Sequence, residues 1–139
     1  MLFSLVLLLF QAASTAEAWQ VQPVDIVIPS YPPVLARARV EGAVDLVLEI
    51  DGAGVVRSVT RVTASPSLDS PFVTLSKEAA RGWRFVQSKN DKRELALRVN
   101  FHLDETSDPN DPSPLRPARV SPGVVEVYGR CVVIDRRAA

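Results

Sequence analysis

Among 139 residues the chain has one cysteine, one histidine and one methionine, and its 16 basic residues balance its 16 acidic ones. Each scarcity removes a class of function. With Cys131 alone, no disulfide can form within the chain, and a lone thiol in the run Cys131-Val132-Val133-Ile134 reads as a small buried residue. With His102 alone and no cysteine near it in sequence, a metal site lacks its usual company. Hydrolysis or group transfer needs a nucleophile with a positioned base, or paired carboxylates in a cleft. Asp45 and Glu49 share a strand face but would stand about 13 Å apart, too far to work as a pair. The chain therefore reads as no enzyme, and no cofactor or metal is expected. A net charge of zero gives no electrostatic reason to expect nucleic acid or an anionic membrane as partner.

A membrane-spanning run is also missing. From Leu2 to Phe10 every residue except Ser4 is large and apolar, but this falls short of the roughly 20 residues that cross a bilayer. It fades into Gln11-Ala12-Ala13-Ser14-Thr15 and meets Ala16-Glu17-Ala18, small residues where a signal peptidase reads. Residues 1–18 are expected to be a signal peptide cut after Ala18, and the protein to be secreted. Retention of this leader as a short inner-membrane anchor is the alternative, and only then would the membrane be a partner.

The remainder is rich in pattern. Residues 19–30 form a lead segment whose Val24 to Ile28 favours a short strand. Pro32 and Pro33 open a short helix, since a missing amide hydrogen costs nothing there. Strict alternation from Ala43 to Ile50 puts Val44, Leu46, Leu48 and Ile50 on one face. Asp51-Gly52-Ala53-Gly54 reverses the chain into a strand over Val55 to Thr63, whose mixed pattern suggests a bulge. Ser70-Pro71 offers a cap and a first helical residue, and Phe72, Leu75, Ala79 and Trp83 recur at helical spacing. Trp83 and Phe85 read as core. Leu95, Leu97, Val99, Phe101 and Leu103 alternate with Ala96, Arg98, Asn100 and His102, marking another strand. Residues 105–123 are proline- and aspartate-rich and read as a linker. The β-formers of 124–139 predict a bent strand or small hairpin that docks back on the sheet.

Tyr31-Pro32, Gly42, Ile50-Asp51-Gly52-Ala53-Gly54, Leu68-Asp69 and Trp83-Arg84-Phe85, in that order and closed by the strand Leu95 to Leu103, resemble the C-terminal domain of the TonB family. The resemblance covers residues 31–104. It implies an α+β fold, two helices packed on a small antiparallel sheet of three strands, with room for an extra C-terminal strand or hairpin. It also implies a role in the periplasm of a double-membraned bacterium, where an extended peptide of an outer-membrane receptor pairs with the open edge of the last strand. By position that edge is Leu95, Ala96, Leu97, Arg98, Val99, Asn100, Phe101, His102 and Leu103. An open edge would also let two copies pair. The function expected is a secreted interaction module that binds by strand pairing. The alternative is an energy transducer, anchored by its leader, that serves receptor transport. Whether the tail Val124 to Ile134 fills the edge, protecting it or regulating it, or docks elsewhere, is open at this level.

Overall fold

The computed structural model describes residues 19–132. The expected signal peptide and cleavage site lie outside them. The elements in order are β1 (Pro23–Asp25), α1 (Pro33–Arg37), β2 (Gly42–Ile50), β3 (Val56–Ser65), α2 (Pro71–Arg81), β4 (Arg84–Phe85), β5 (Arg93–Thr106), β6 (Arg119–Ser121) and β7 (Val124–Val132).

The expectation of a small three-stranded antiparallel sheet is overturned. Seven strands form a two-stranded sheet, β1-β4, and a five-stranded sheet in the order β3-β2-β5-β7-β6. The larger sheet is mixed, because β7 runs parallel to β5 while the other neighbours are antiparallel. Parallel neighbours need a long connection. Here the stretch between β5 and β7 descends beside β7, pairs with it briefly as β6, and turns back at Pro122-Gly123.

The alternation in β2 and β5 becomes a core because the two strands are in exact register: Val44 faces Val99, Leu46 faces Leu97 and Leu48 faces Leu95. All six are buried, and Val125 and Val127 of β7 extend the same apolar layer. Helix α2 covers this layer with Phe72, Val73, Ser76, Ala79 and Ala80. The stripe differs from the one expected, since Leu75 is only half-buried and Ser76 is fully enclosed. Ser70 precedes Pro71 as anticipated but makes no side-chain capping bond. Strand β3 pairs with β2 through two register shifts, which leave Thr60 and Arg57 as extra residues on β3.

Helix α1 ends in a tight C-terminal turn. The Val40 amide donates to the Leu35 carbonyl and the Arg39 amide to that of Ala36, with Arg39 in the left-handed region at φ 58°. Among the described residues no helix is long and apolar enough to cross a membrane.

Candidate functional site

Strand β5 was expected to be an open edge, but from Arg98 to Thr106 that side is covered by β7, and from Arg98 to Phe101 it is an inner strand. It pairs with β2 from Arg93 to Phe101 and with β7 from Arg98 to Thr106. Leu95, Ala96 and Leu97 therefore keep one ladder neighbour, while Arg98, Val99, Asn100 and Phe101 have two, and His102 and Leu103 pair with β7 alone. The covering strand begins where the Arg98 amide donates to the Gly123 carbonyl. Leu95, Leu97, Val99 and Phe101 point into the core, and Ala96 and Arg98 face solvent. The physical reason for the correction is the tail's own apolar face. Val125, Val127 and Cys131 are buried, and burying such side chains contributes about 1.5–3 kcal/mol each.

The remaining motif residues hold the scaffold. The Tyr31 ring meets Phe72 and Phe101 edge-on, at 5.5 and 5.7 Å between centroids, and its hydroxyl donates to the Val40 carbonyl. Burial is the main cause that pushes the Tyr31 phenol well above its ordinary range, with Glu41 adding to it. Pro32 is buried, and its carbonyl accepts the first amide bonds of α1. A Cβ on Gly42 would lie 2.6 Å from the Phe72 ring, so the glycine lets α2 approach the sheet. Asp51 accepts from the Val55 amide at 2.9 Å and pairs with Arg57, and these contacts, the amide first, hold its carboxyl below the usual range. Gly54, at φ 86°, accepts the Phe85 amide, which ties the hairpin to β4. Trp83 is fully buried and its indole donates to the Val27 carbonyl at 2.7 Å, fastening the lead segment. Arg84 donates to the Arg81 and Trp83 carbonyls at the end of α2, and Phe85 is buried. Leu68 and Asp69 lie exposed in the turn before α2.

The solvent face of the sheet is polar and cross-linked. Arg98 grips both Asp45 oxygens, at 3.0 and 3.2 Å. His102 stacks on Tyr128 at 5.3 Å between centroids and lies between Glu41 and Glu126, 3.9 and 3.7 Å away. Arg116 covers the Tyr128 ring and pairs with Asp104. Arg130 donates to the Asp111 and Ser113 carbonyls, fixing the stretch after β5 against β7. The Ser113 hydrogen bonds lead in holding the Asp111 carboxyl down at about 2. Among the described residues no cluster of three or more His, Cys, Asp or Glu side chains could hold a metal ion. Cys131 is buried in β7, and His102 has carboxylates and a phenol beside it.

With β7 covering β5 from Arg98 onward, an outer strand of ten residues remains in β3, whose partner among the described residues is β2 alone. The sequence offered no pointer to it, because which strand lies outermost is a property of strand order.

No protein-family model matches the chain. Proteins described as "Protein TonB", from two strains of Xanthomonas campestris pv. campestris, are each 35% identical to it over 80 residues. The matched stretch is 55% of this chain and 35% of each relative, so the chain spans about a third of their length. The chain is thus distantly related to TonB proteins through part of its length.

Proposed function

We propose that the chain is a periplasmic, non-catalytic interaction module of the TonB C-terminal type that recognises an extended segment of a partner by strand pairing. The observation that carries this reading is an outer strand of ten residues, Val56–Ser65, with one side unpaired, on a domain distantly related to TonB proteins. Unpaired amides and carbonyls on such an edge accept another strand readily. Receptors of the outer membrane are the natural candidates, through extended segments that reach into the periplasm.

Pairing at β5 is disfavoured on energetic grounds. An incoming segment along the whole of Leu95 to Leu103 would first release β7, whose three buried side chains together contribute about 4.5–9 kcal/mol. That is on the scale of the entire stability of a small domain. Pairing at β3 displaces nothing.

Amide hydrogen exchange tests the choice of edge. Periplasm-facing receptor segments are titrated into the protein, and slowed exchange in 56–65 supports the reading. Faster exchange in 124–132 on binding would instead mean that β7 is displaced. An absence of binding by every segment would overturn strand pairing. A second reading, an energy transducer held in the inner membrane by its leader, is favoured by the 35% identity to TonB proteins. The amino terminus of the cellular protein separates the two: Trp19 in the periplasmic fraction supports a secreted module, and Met1 in the membrane fraction a transducer.

A further inference from the structure

The unpaired flank of β3 does not face open solvent along its whole length. Between it and α2 lies a groove of about 500 Å³ lined by Val56, Arg57, Ser58, Val59, Lys77 and Arg81. Three of these six are cationic and none is acidic. Arg57 is engaged by Asp51, whereas Lys77 and Arg81 form no salt bridge among the described residues. β3 leads through a turn into α2, which packs across β3 and β2, and Lys77 and Arg81 of the helix border the Val56 to Val59 end of the strand.

The spacing carries the inference. Lys77 and Arg81 are one helical turn apart, about 6 Å along the axis. Successive side chains on one face of an extended strand are about 6.6–6.8 Å apart. A strand added beside β3 would point every second side chain toward α2, and carboxylates at those positions would meet the two cations in step. Lys77 and Arg81 border Val56 to Val59, so the newcomer must reach that end of β3, where the extra residues Arg57 and Thr60 increase the local twist.

Resting on the strand-pairing reading, the geometry points to a specific partner chemistry: an extended segment with acidic residues at alternate positions, paired to the β3 edge with its carboxylates on Lys77 and Arg81. Backbone pairing supplies the fit to an extended chain, and the alternate charges select among such chains.

The test uses the full chain and three capped peptides of equal length. One alternates glutamate with valine and threonine, one has the same composition with the glutamates adjacent, and one alternates lysine. Calorimetry is expected to give at least ten-fold tighter binding of the alternating glutamate peptide than of either control, weakening as salt is raised. The variant Lys77→Glu with Arg81→Glu is expected to lose at least ten-fold in affinity for that peptide while keeping the melting temperature and far-ultraviolet spectrum of the parent. Equal binding of the two glutamate peptides, or undiminished binding by the double variant, would overturn the inference. Exchange protection in 56–59 separates the two levels. If it appears on binding but is indifferent to the charge changes, strand pairing stands and the acidic selection falls. If no peptide binds or protects β3, both fall.

Discussion

Tyr31 lies against the backbone of Gly129, so closely that a Cβ on the glycine would stand 2.6 Å from Cγ of the ring. One partner belongs to the turn that opens α1 and the other to the middle of β7, and their contact locks the C-terminal strand onto the helical layer. The ring also packs on Phe72 of α2 and Phe101 of β5. Gly129→Ala should therefore destabilise the fold by about 2 kcal/mol, within the usual range for overpacking. In a Tyr31→Ala background the same substitution should cost much less, since the clashing ring is gone. Denaturant unfolding of the four proteins in this cycle measures the coupling, and additive costs would show that the ring does not seat on the glycine.

The same tyrosine gives a pH signature. Its folded-state phenol is raised above the ordinary value of 10.0, chiefly by burial. A raised value means that the neutral form is favoured in the fold, so its stabilisation is fully present below pH 10.0 and is lost as pH rises above that. Tyr31→Phe keeps the ring but removes the hydroxyl bond to Val40, and should cost about 1 kcal/mol at neutral pH. Above pH 10.0 the cost should shrink, because the parent alone continues to lose stability through this group. A constant difference between the two proteins through pH 11 would contradict the buried, bonded phenol. Absorbance titration of tyrosinate gives an independent check, as the late-titrating phenol should vanish in the variant.

How much of this was readable in the chain depends on what each element exposes to neighbours near in sequence. The strands β2 and β5 were legible because one face of each is buried, and burial on one face writes a two-residue period. The hairpin at Asp51-Gly52-Ala53-Gly54 was legible because its residues serve the turn itself. The pairing of β5 with β7 was not, since a parallel pair has no tight turn to announce it and its connection reads as a proline- and aspartate-rich linker. Strands β1 and β4 have three and two residues, too few for a period. The groove beside Lys77 and Arg81 depends on where α2 lies relative to β3, which no local pattern encodes.

Helix α2 contains a polar residue where its packing face asks for an apolar one. Ser76 is fully buried, four residues after Phe72, and its hydroxyl has no hydrogen-bond partner. An unsatisfied buried hydroxyl costs about 1–3 kcal/mol, and alanine is also the better helix former. Ser76→Ala should stabilise the protein by about 1 kcal/mol, seen as a higher denaturant midpoint at unchanged slope. A loss of stability would mean that the hydroxyl is satisfied in solution, by a bound water or by a turn of its own rotamer.

A last prediction compares two glycines that share a backbone conformation but not an environment. Gly54 and Gly123 have φ of 86° and 74°, values that cost an ordinary side chain roughly 1–2 kcal/mol. Around Gly123 the nearest atom to an added Cβ is the Ala96 carbonyl oxygen at 3.9 Å, so alanine there should cost little beyond that strain. At Gly54 the added Cβ would overlap the Phe85 carbonyl oxygen, where no rotation of a side chain can make room. The hairpin would have to part from β4, and Phe85 and its neighbour Trp83 would follow. Gly54→Ala should thus cost at least about 2 kcal/mol more than Gly123→Ala, and it alone should perturb the near-ultraviolet dichroism of the buried Trp83. Equal costs, or an unperturbed tryptophan signal, would show that the hairpin is not anchored through this backbone contact.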